Sequence, residues 1–445
     1  MRRTPRWRSP SWAPPCRGTG QWAISWGRCA MRRGCSWSAS PPARTCRSAT
    51  RRRAAPCSNS PSPWKRAPAG AARSSNCRLG DEKLKQIGLG IVGSGRMGRL
   101  RAHLASGSPE VKFLALSDKD PARAKLIAEE TQADFHTGDN EAVLAHADVD
   151  AVIVSTPEFD HADAVCRALE LGKPVLCEKP ISLSLEDADR ILAAYEKSSA
   201  ELFIGYTQRQ RRRFLNAKEQ IQRGRLGHLQ TARATLYNVT TNGAEIYKRA
   251  AHAGPVTDTL TYMVDICLWY FEGRKPRRVY AQGGSKVFPH HPMGCGDWAW
   301  AILTFEDGGT VNFGCSWILP DNWPANITSI DLEVMGTEGA IAIDDSHKNA
   351  VMATNKGVPS PYVDGMTSDV VFLESMMAGD WLVGDFWGPM RDETRLFLER
   401  VTMGRSVSLA LPEHARTVLE VTLAIEHSAK ENRPIDFPLT GVHSH

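Results

Sequence analysis

The sequence predicts an α/β protein whose first folded domain is a doubly wound parallel sheet. Three observations carry that expectation. Short continuous apolar runs alternate with amphipathic stretches from Lys85 to Tyr206, the pattern of strands buried on both faces between crossover helices. A Gly-x-Gly-x-x-Gly stands directly after the first of those runs, where a nucleotide-binding turn belongs. Beyond the first 80 residues about 360 remain, more than one ordinary core accommodates, so a second domain follows.

The N-terminal stretch is set apart by composition. Residues 1–80 hold no Asp or Glu, but 17 of the 55 Lys and Arg, six of the eleven Cys, six of the 13 Trp and ten of the 27 Pro. The formal net charge of +6 therefore hides an acidic remainder, with 38 basic against 49 acidic side chains. That balance gives no basic footprint for nucleic acid. Arg and Ser without acids suit an organelle transit peptide, but scattered Pro, Trp and Cys do not suit its amphipathic helix. Arg32 and Arg33 are followed by no apolar core, as a twin-Arg signal requires. Residues 1–82 read as a disordered or spurious leader, translated from a start upstream of the true one near Leu84. No run of eighteen apolar residues offers a membrane span. Cys166, Cys177, Cys267, Cys295 and Cys315 show no paired spacing, so neither a zinc site nor a disulfide framework is expected, and the cytoplasm is the expected compartment.

The elements of the first domain, 83–206, follow in order. "QIGLGIVG" is a strand, "RMGRLRAHLAS" a helix, "VKFLALSD" a strand and "PARAKLIAEE" a helix. "AVIVSTP" then gives a strand, "DHADAVCRALELG" a helix, "PVLCEKP" a strand, "LEDADRILAAYEKS" a helix and "LFIGY" the last strand. In the second domain, 207–445, "DWAWAILTFEDGGTVNFGCSWILP" alternates with period two about Asp307-Gly308-Gly309 and predicts a hairpin.

The glycine motif is Gly93-Ser94-Gly95-Arg96-Met97-Gly98. Gly93 permits the tight turn, Gly95 lets the backbone approach a pyrophosphate, and Gly98 lets helix and strand pack closely. The anion sits on free amides at the helix N-terminus. Asp118, 25 positions after Gly93, ends the second strand, where a carboxylate binds the adenosine ribose hydroxyls and repels a 2′-phosphate. NAD is thus favoured over NADP, with Lys119 leaving some room for the latter. As a helix cap, Asp120 is better placed than Asp118.

"VIVSTPEFDHADAVCRALELGKPVLCEKPIS" resembles the glucose-fructose oxidoreductase and inositol dehydrogenase family, Gfo/Idh/MocA. The likeness spans roughly residues 85 to 438 and implies a second α/β domain on an open, mostly antiparallel sheet. The family's E-K-P stands here as Glu178-Lys179-Pro180, after Thr156-Pro157 and His161, and the resemblance places these residues at the cofactor. Lys179 falls at the carboxyl end of a parallel strand, where open α/β sheets bind ligands. Its ammonium is suited to stabilise charge developing on a substrate oxygen, and an X-Pro step allows a cis bond that would aim it. His161 is read equally as a shaper of the nicotinamide pocket and as an ordinary helix-face histidine.

The family's second domain carries a pattern like D-x-G-x-H-x-x-D. Here "GPVTDTLTYMVDICLWYF" keeps Asp258 and Asp265, but Leu260 replaces the Gly and Tyr262 the catalytic His. Positions 258, 262, 265 and 269 share one helical stripe. A phenol titrates near 10 unless a cation stabilises its anion, and Lys179 is the candidate cation. The expectation is that Tyr262 relays the substrate proton beside Lys179 while Asp258 orients one of them. Two other readings stay open: a different base, such as His252, or altered catalysis. By the same resemblance Thr207, Gln208, Arg209 and Asn238 lie at substrate-hydroxyl positions, with Asp265 beside them, and one sheet face pairs with a second copy in a homodimer or homotetramer. Adjacent His290 and His291 without a carboxylate partner are a poor metal site, so no metal is expected.

The expected activity is NAD-dependent hydride transfer to or from a secondary alcohol of a sugar, cyclitol or related polyol. NAD-assisted elimination or glycoside cleavage without net redox is the enzymatic alternative. A non-catalytic NAD-binding sensor is the alternative of another class.

Overall fold

A computed structural model describes residues 85–439, apart from 251–252, 292–294, 324–327, 345–350, 360–364 and 373–377. The leader 1–82 and His252 thus lie outside the described residues.

The first half alternates strand and helix: β1 (Ile87–Val92), α1 (Arg96–Ser106), β2 (Val111–Ser117), α2 (Pro121–Thr131), β3 (Phe135–Thr137), α3 (Asn140–Leu144), β4 (Ala151–Val154), α4 (His161–Glu170), β5 (Val175–Glu178), α5 (Leu185–Lys197) and β6 (Leu202–Gly205). The six strands are parallel in the order β3-β2-β1-β4-β5-β6. Every residue of β1, β4, β5 and β6 is buried, which is why they read as unbroken apolar runs. The helices start where polar side chains satisfy free amides: Asp120 caps α2, Asp139 caps α3 and Ser184 caps α5. β3 and α3 are three and five residues long, too short to leave a periodic signal.

A three-ten turn, Thr207–Gln210, leads into α6 (Arg212–Gln222), β7 (Leu229–Val239) and α7 (Thr240–Arg249). A π-helical turn, Pro255–Leu260, runs straight into α8 (Thr261–Tyr270). Then come β8 (Pro276–Gly284), β9 (Trp298–Phe305), β10 (Thr310–Leu319), β11 (Thr328–Gly336), β12 (Ala340–Asp344), the pairs β13 (Val351–Pro359) with β14 (Thr367–Phe372) and β15 (Asp380–Leu382) with β16 (Asp385–Trp387), α9 (Pro389–Met403), α10 (Pro412–Glu431) and β17 (Ile435–Asp436). The second sheet runs β12-β11-β7-β10-β9-β8-β17. Only its β7–β10 pair is parallel. β9 and β10 form the expected hairpin, with Ala299, Ala301, Leu303 and Phe305 buried on one face and Trp300 and Ile302 exposed on the other.

The C-terminal helices return to the first sheet. Phe397, Leu398 and Leu409 share an apolar cluster with Ile87, Leu89, Ile91 and Phe203, and Ile204 forms a bridge with Ala410. Burying side chains of this size contributes about 1.5–3 kcal/mol each, so the C-terminal helices help hold the first sheet.

Candidate active site

The glycine turn is built as its spacing requires. Gly93 has φ 92°, and a Cβ on Gly98 would lie 1.9 Å from the Gly93 carbonyl oxygen. Neither place admits a side chain. A Cβ on Gly95 would meet nothing within 4 Å, so the backbone there borders open space at an α1 N-terminus without a side-chain cap. Arg96 is exposed and Met97 half-buried at the start of that helix.

Asp118 ties the turn to β2. Its Oδ2 accepts from the Ser94 amide at 2.9 Å and its Oδ1 from the Asp120 amide at 2.8 Å, while the Arg123 guanidinium lies 3.3 Å from both oxygens. The Ser94 hydroxyl donates to the Ser117 carbonyl at 3.0 Å. Around the ends of β2 and β4, the Ser117, Ser155 and Thr156 hydroxyls are buried without a protein partner. An open Gly95, uncapped helix amides and orphaned hydroxyls are what a dinucleotide's phosphates and hydroxyls would satisfy. The residues present fit the cofactor.

His161 is buried, with Nδ1 2.9 Å from the Pro180 carbonyl and Nε2 3.0 Å from the Thr156 carbonyl. Both ring nitrogens thus face backbone, and the ring clamps the Thr156-Pro157 loop to the segment carrying Lys179. Glu178 is engaged elsewhere: its Oε1 accepts from Arg101 Nε at 2.8 Å. The Lys179–Pro180 bond is cis.

Lys179 meets the second half of the chain. Its ammonium donates to the Asp258 carbonyl at 2.8 Å, lies 3.4 Å from the Asp258 carboxylate, and sits 4.7 Å from the centre of the Tyr262 ring. The π-helical turn and the first turn of α8 bring these two side chains to the lysine. Tyr262 is not activated in the way its spacing suggests. Burial pushes its phenol up, Lys179 pulls it down without prevailing, and Asp258 pushes it up further. The ammonium lies against the ring and is shared with a carboxylate, so at neutral pH the phenol keeps its proton and is a donor.

The rest of the stripe belongs to another cation. Asp265 is fully buried and takes Arg209 at 2.6–3.1 Å and His414 Nε2 at 2.9 Å. Burial pushes its carboxyl up, but Arg209 and His414 outweigh that and hold it below the ordinary carboxylate range. Trp269 lies 5.1 Å from the Arg209 guanidinium. Two groups expected to face substrate, Arg209 and Asp265, therefore neutralise each other. His414, on α10, carried no sequence signal because its partner is 149 residues away. Gln208 and Thr207 are buried. Asn238 is buried too, donating to Thr259 Oγ1 at 3.1 Å and accepting from Thr328 at 3.0 Å, while Trp317 Nε1 donates to the same Thr259 oxygen at 2.8 Å. Lys179, Asp258 and Tyr262 come together, while Arg209, Asp265 and Asn238 are engaged with protein partners.

This arrangement can be set beside known proteins. A family described as "Oxidoreductase family, NAD-binding Rossmann fold" matches residues 87–206, and "GFO/IDH/MocA C-terminal domain" matches 214–342. The chain belongs to the Gfo/Idh/MocA family. Its cofactor is NAD, held by the Rossmann half. It is 30% identical over 270 residues to the uncharacterized oxidoreductase YrbE of Bacillus subtilis, covering 60% of this chain and 76% of that one. It is 27% identical over 273 residues to a myo-inositol 2-dehydrogenase of Thermotoga maritima, covering 60% and 78%. The fold matches a scyllo-inositol dehydrogenase of Lactobacillus casei with bound NAD(H) and scyllo-inositol, at TM-score 0.64 and 20% identity over 79% and 99% of the two chains.

Proposed function

We propose that this Gfo/Idh/MocA protein is an NAD-dependent dehydrogenase of a cyclitol, sugar or related polyol, with Lys179, Asp258 and Tyr262 at its reacting centre. The observation that carries the reading is the Lys179 ammonium, set at the carboxyl end of β5 between Asp258 and Tyr262. The relatives named for inositol oxidation support the substrate class. Bound NAD supplies the hydride-accepting carbon. The chain's own residues then manage the substrate oxygen: its hydroxyl proton passes to Lys179 as the ammonium hands one of its own to the Asp258 carboxylate 3.4 Å away, while the neutral Tyr262 phenol donates a hydrogen bond to the oxygen and opposes the negative charge that grows there.

Mixing the protein with NAD and a panel of inositols, aldoses and uronic acids, while following the nicotinamide absorbance band, tests this. Growth of the band with one substrate class, abolished in Lys179→Ala, is the expected result. Tight NAD binding with no band change for any polyol would favour redox-neutral elimination or a sensor.

The setting is proposed with the activity. Among the described residues no helix is long and apolar enough to cross a membrane, and Cys166, Cys177, Cys267, Cys295 and Cys315 are free, which suits a reducing cytoplasm. The open face of the second sheet exposes Tyr280, Trp300, Ile302 and Met335, a surface suited to a second copy of the chain.

A further inference from the structure

The glutamate preceding the lysine belongs to a buried charged cluster that the reaction itself does not use. Arg101, on α1, has no exposed side-chain surface. Its Nε donates to Glu178, its Nη2 to Glu393 on α9, and its Nη1 to Thr394 Oγ1 at 2.7 Å and the Met390 carbonyl at 3.4 Å. A Cβ on Gly205 would lie 3.3 Å from both Arg101 Nη2 and Glu178 Oε2, so β6 leaves the space that the cluster fills. Three elements distant in sequence meet at one guanidinium, and one of its partners is covalently next to Lys179.

The charges do not cancel, since one guanidinium faces two carboxyls in a desolvated place. Burial pushes the Glu393 carboxyl up to about 7, with Arg101 pulling it down and Glu178 pushing it up. The other titratable groups bearing on it are Asp265 and Tyr262 on α8, the first already paired with Arg209 and His414. With a proton on Glu393, the full charge of Arg101 is left to Glu178. Without it, two carboxylates compete for one fork, and the end of β5 is held differently.

We propose that Glu393, acting through Arg101 and Glu178, is a positioning residue for the Lys179 ammonium, and that its protonation sets turnover. This rests on Lys179 being the group that faces the substrate oxygen. Glu393→Gln keeps the hydrogen-bonding shape and removes the titration. The experiment has two arms, both on the full chain.

In the first arm, kcat and KM for the polyol and for NAD are measured from about pH 5.5 to 9, together with the melting temperature. Wild type is expected to show a step in kcat near pH 7 that Glu393→Gln lacks, at unchanged KM for NAD. Arg101→Lys, which cannot reproduce the fork, is expected to lose about a hundredfold in kcat, the scale of a reacting group displaced by an ångström. Superimposable profiles for wild type and Glu393→Gln would overturn the proposal, as would parallel losses of kcat, NAD affinity and melting temperature. In the second arm, the 15N resonance of Lys179 Nζ, assigned through Lys179→Arg, is followed against pH without substrate. A step near pH 7 in wild type that vanishes in Glu393→Gln supports the coupling, and its absence from wild type or its persistence in the variant refutes it. The second arm does not require turnover, so failure of the dehydrogenase assignment and failure of the coupling give different results.

Discussion

At Lys179 local forces compete, and their balance decides what each neighbour can do. The Asp258 carbonyl and carboxylate, at 2.8 and 3.4 Å, hold the ammonium more strongly than the face of the Tyr262 ring at 4.7 Å, because a full or partial negative charge outweighs a ring quadrupole. Lys179→Ala is expected to lower kcat by about a thousandfold, with NAD affinity, read by nicotinamide or tryptophan fluorescence, changing little. Tyr262 is a sharper test. Its phenol is held above the ordinary tyrosine value, so it does not titrate between about pH 6 and 9. Tyr262→Phe keeps the ring beside the ammonium and loses the donor, so kcat should fall about ten- to a hundredfold at every pH in that range. A limb of the pH–rate profile that moved in the variant would show that the phenol exchanges its proton there, as in a relay.

Between elements, the long-range partners decide what the sequence could show. The strands and helices around the glycine turn were legible because their signals are local: a burial period, a cap such as Asp120, a turn that only Gly93 and Gly98 allow. The lysine segment was legible through its resemblance. The engagements of Glu178 and Asp265 were not, since Arg101, Glu393 and His414 lie 77 to 292 residues from their partners, and spacing carries no information over such separations. Helices α9 and α10 bear this out. Phe397 is fully buried and meets Phe203 edge-on at 6.4 Å, so Phe397→Ala should cost about 3–5 kcal/mol in denaturant unfolding, although the residue stands near the far end of the chain from the sheet it supports. On α10, Glu426 is buried against Thr257 at 3.2 Å, beside the π-helical turn that carries Asp258. Burial raises its carboxyl from 4.5 to about 7. Its protonated form is the stabilised one, so its contribution is complete below 4.5 and is lost as the pH rises through 7, an effect on the order of 3 kcal/mol. The melting temperature should therefore decline across that window, and Glu426→Gln should flatten the decline.

On the scale of the whole molecule, one surface has no partner among the described residues. The second sheet buries one face against α8 and α10 and presents the other, where Tyr280 stands opposite Ile302, Trp300 covers Gly314, and the Tyr237 and Trp300 rings lie 6.4 Å apart. Tyr280, Trp300, Ile302 and Met335 are 38–50% exposed; the first three adjoin on β8 and β9, and Met335 stands on β11, across β10 and β7. Five strands spaced about 4.8 Å apart and about nine residues long present roughly 700 Å², close to the roughly 800 Å² that each partner contributes to a stable interface. The face mixes this aromatic and aliphatic patch with Asn312 and the exposed Arg233–Glu333 pair, and an apolar patch rimmed by polar groups is covered most simply by a copy of itself related by a two-fold axis. Ile302→Asp places a charge at its centre while leaving the buried alternate face of β9 untouched. The expected outcome is a halved mass in analytical ultracentrifugation with the melting temperature lowered only by the loss of the partner. A wild-type protein already sedimenting as a monomer at micromolar concentration would remove the interface and leave those side chains to be explained some other way.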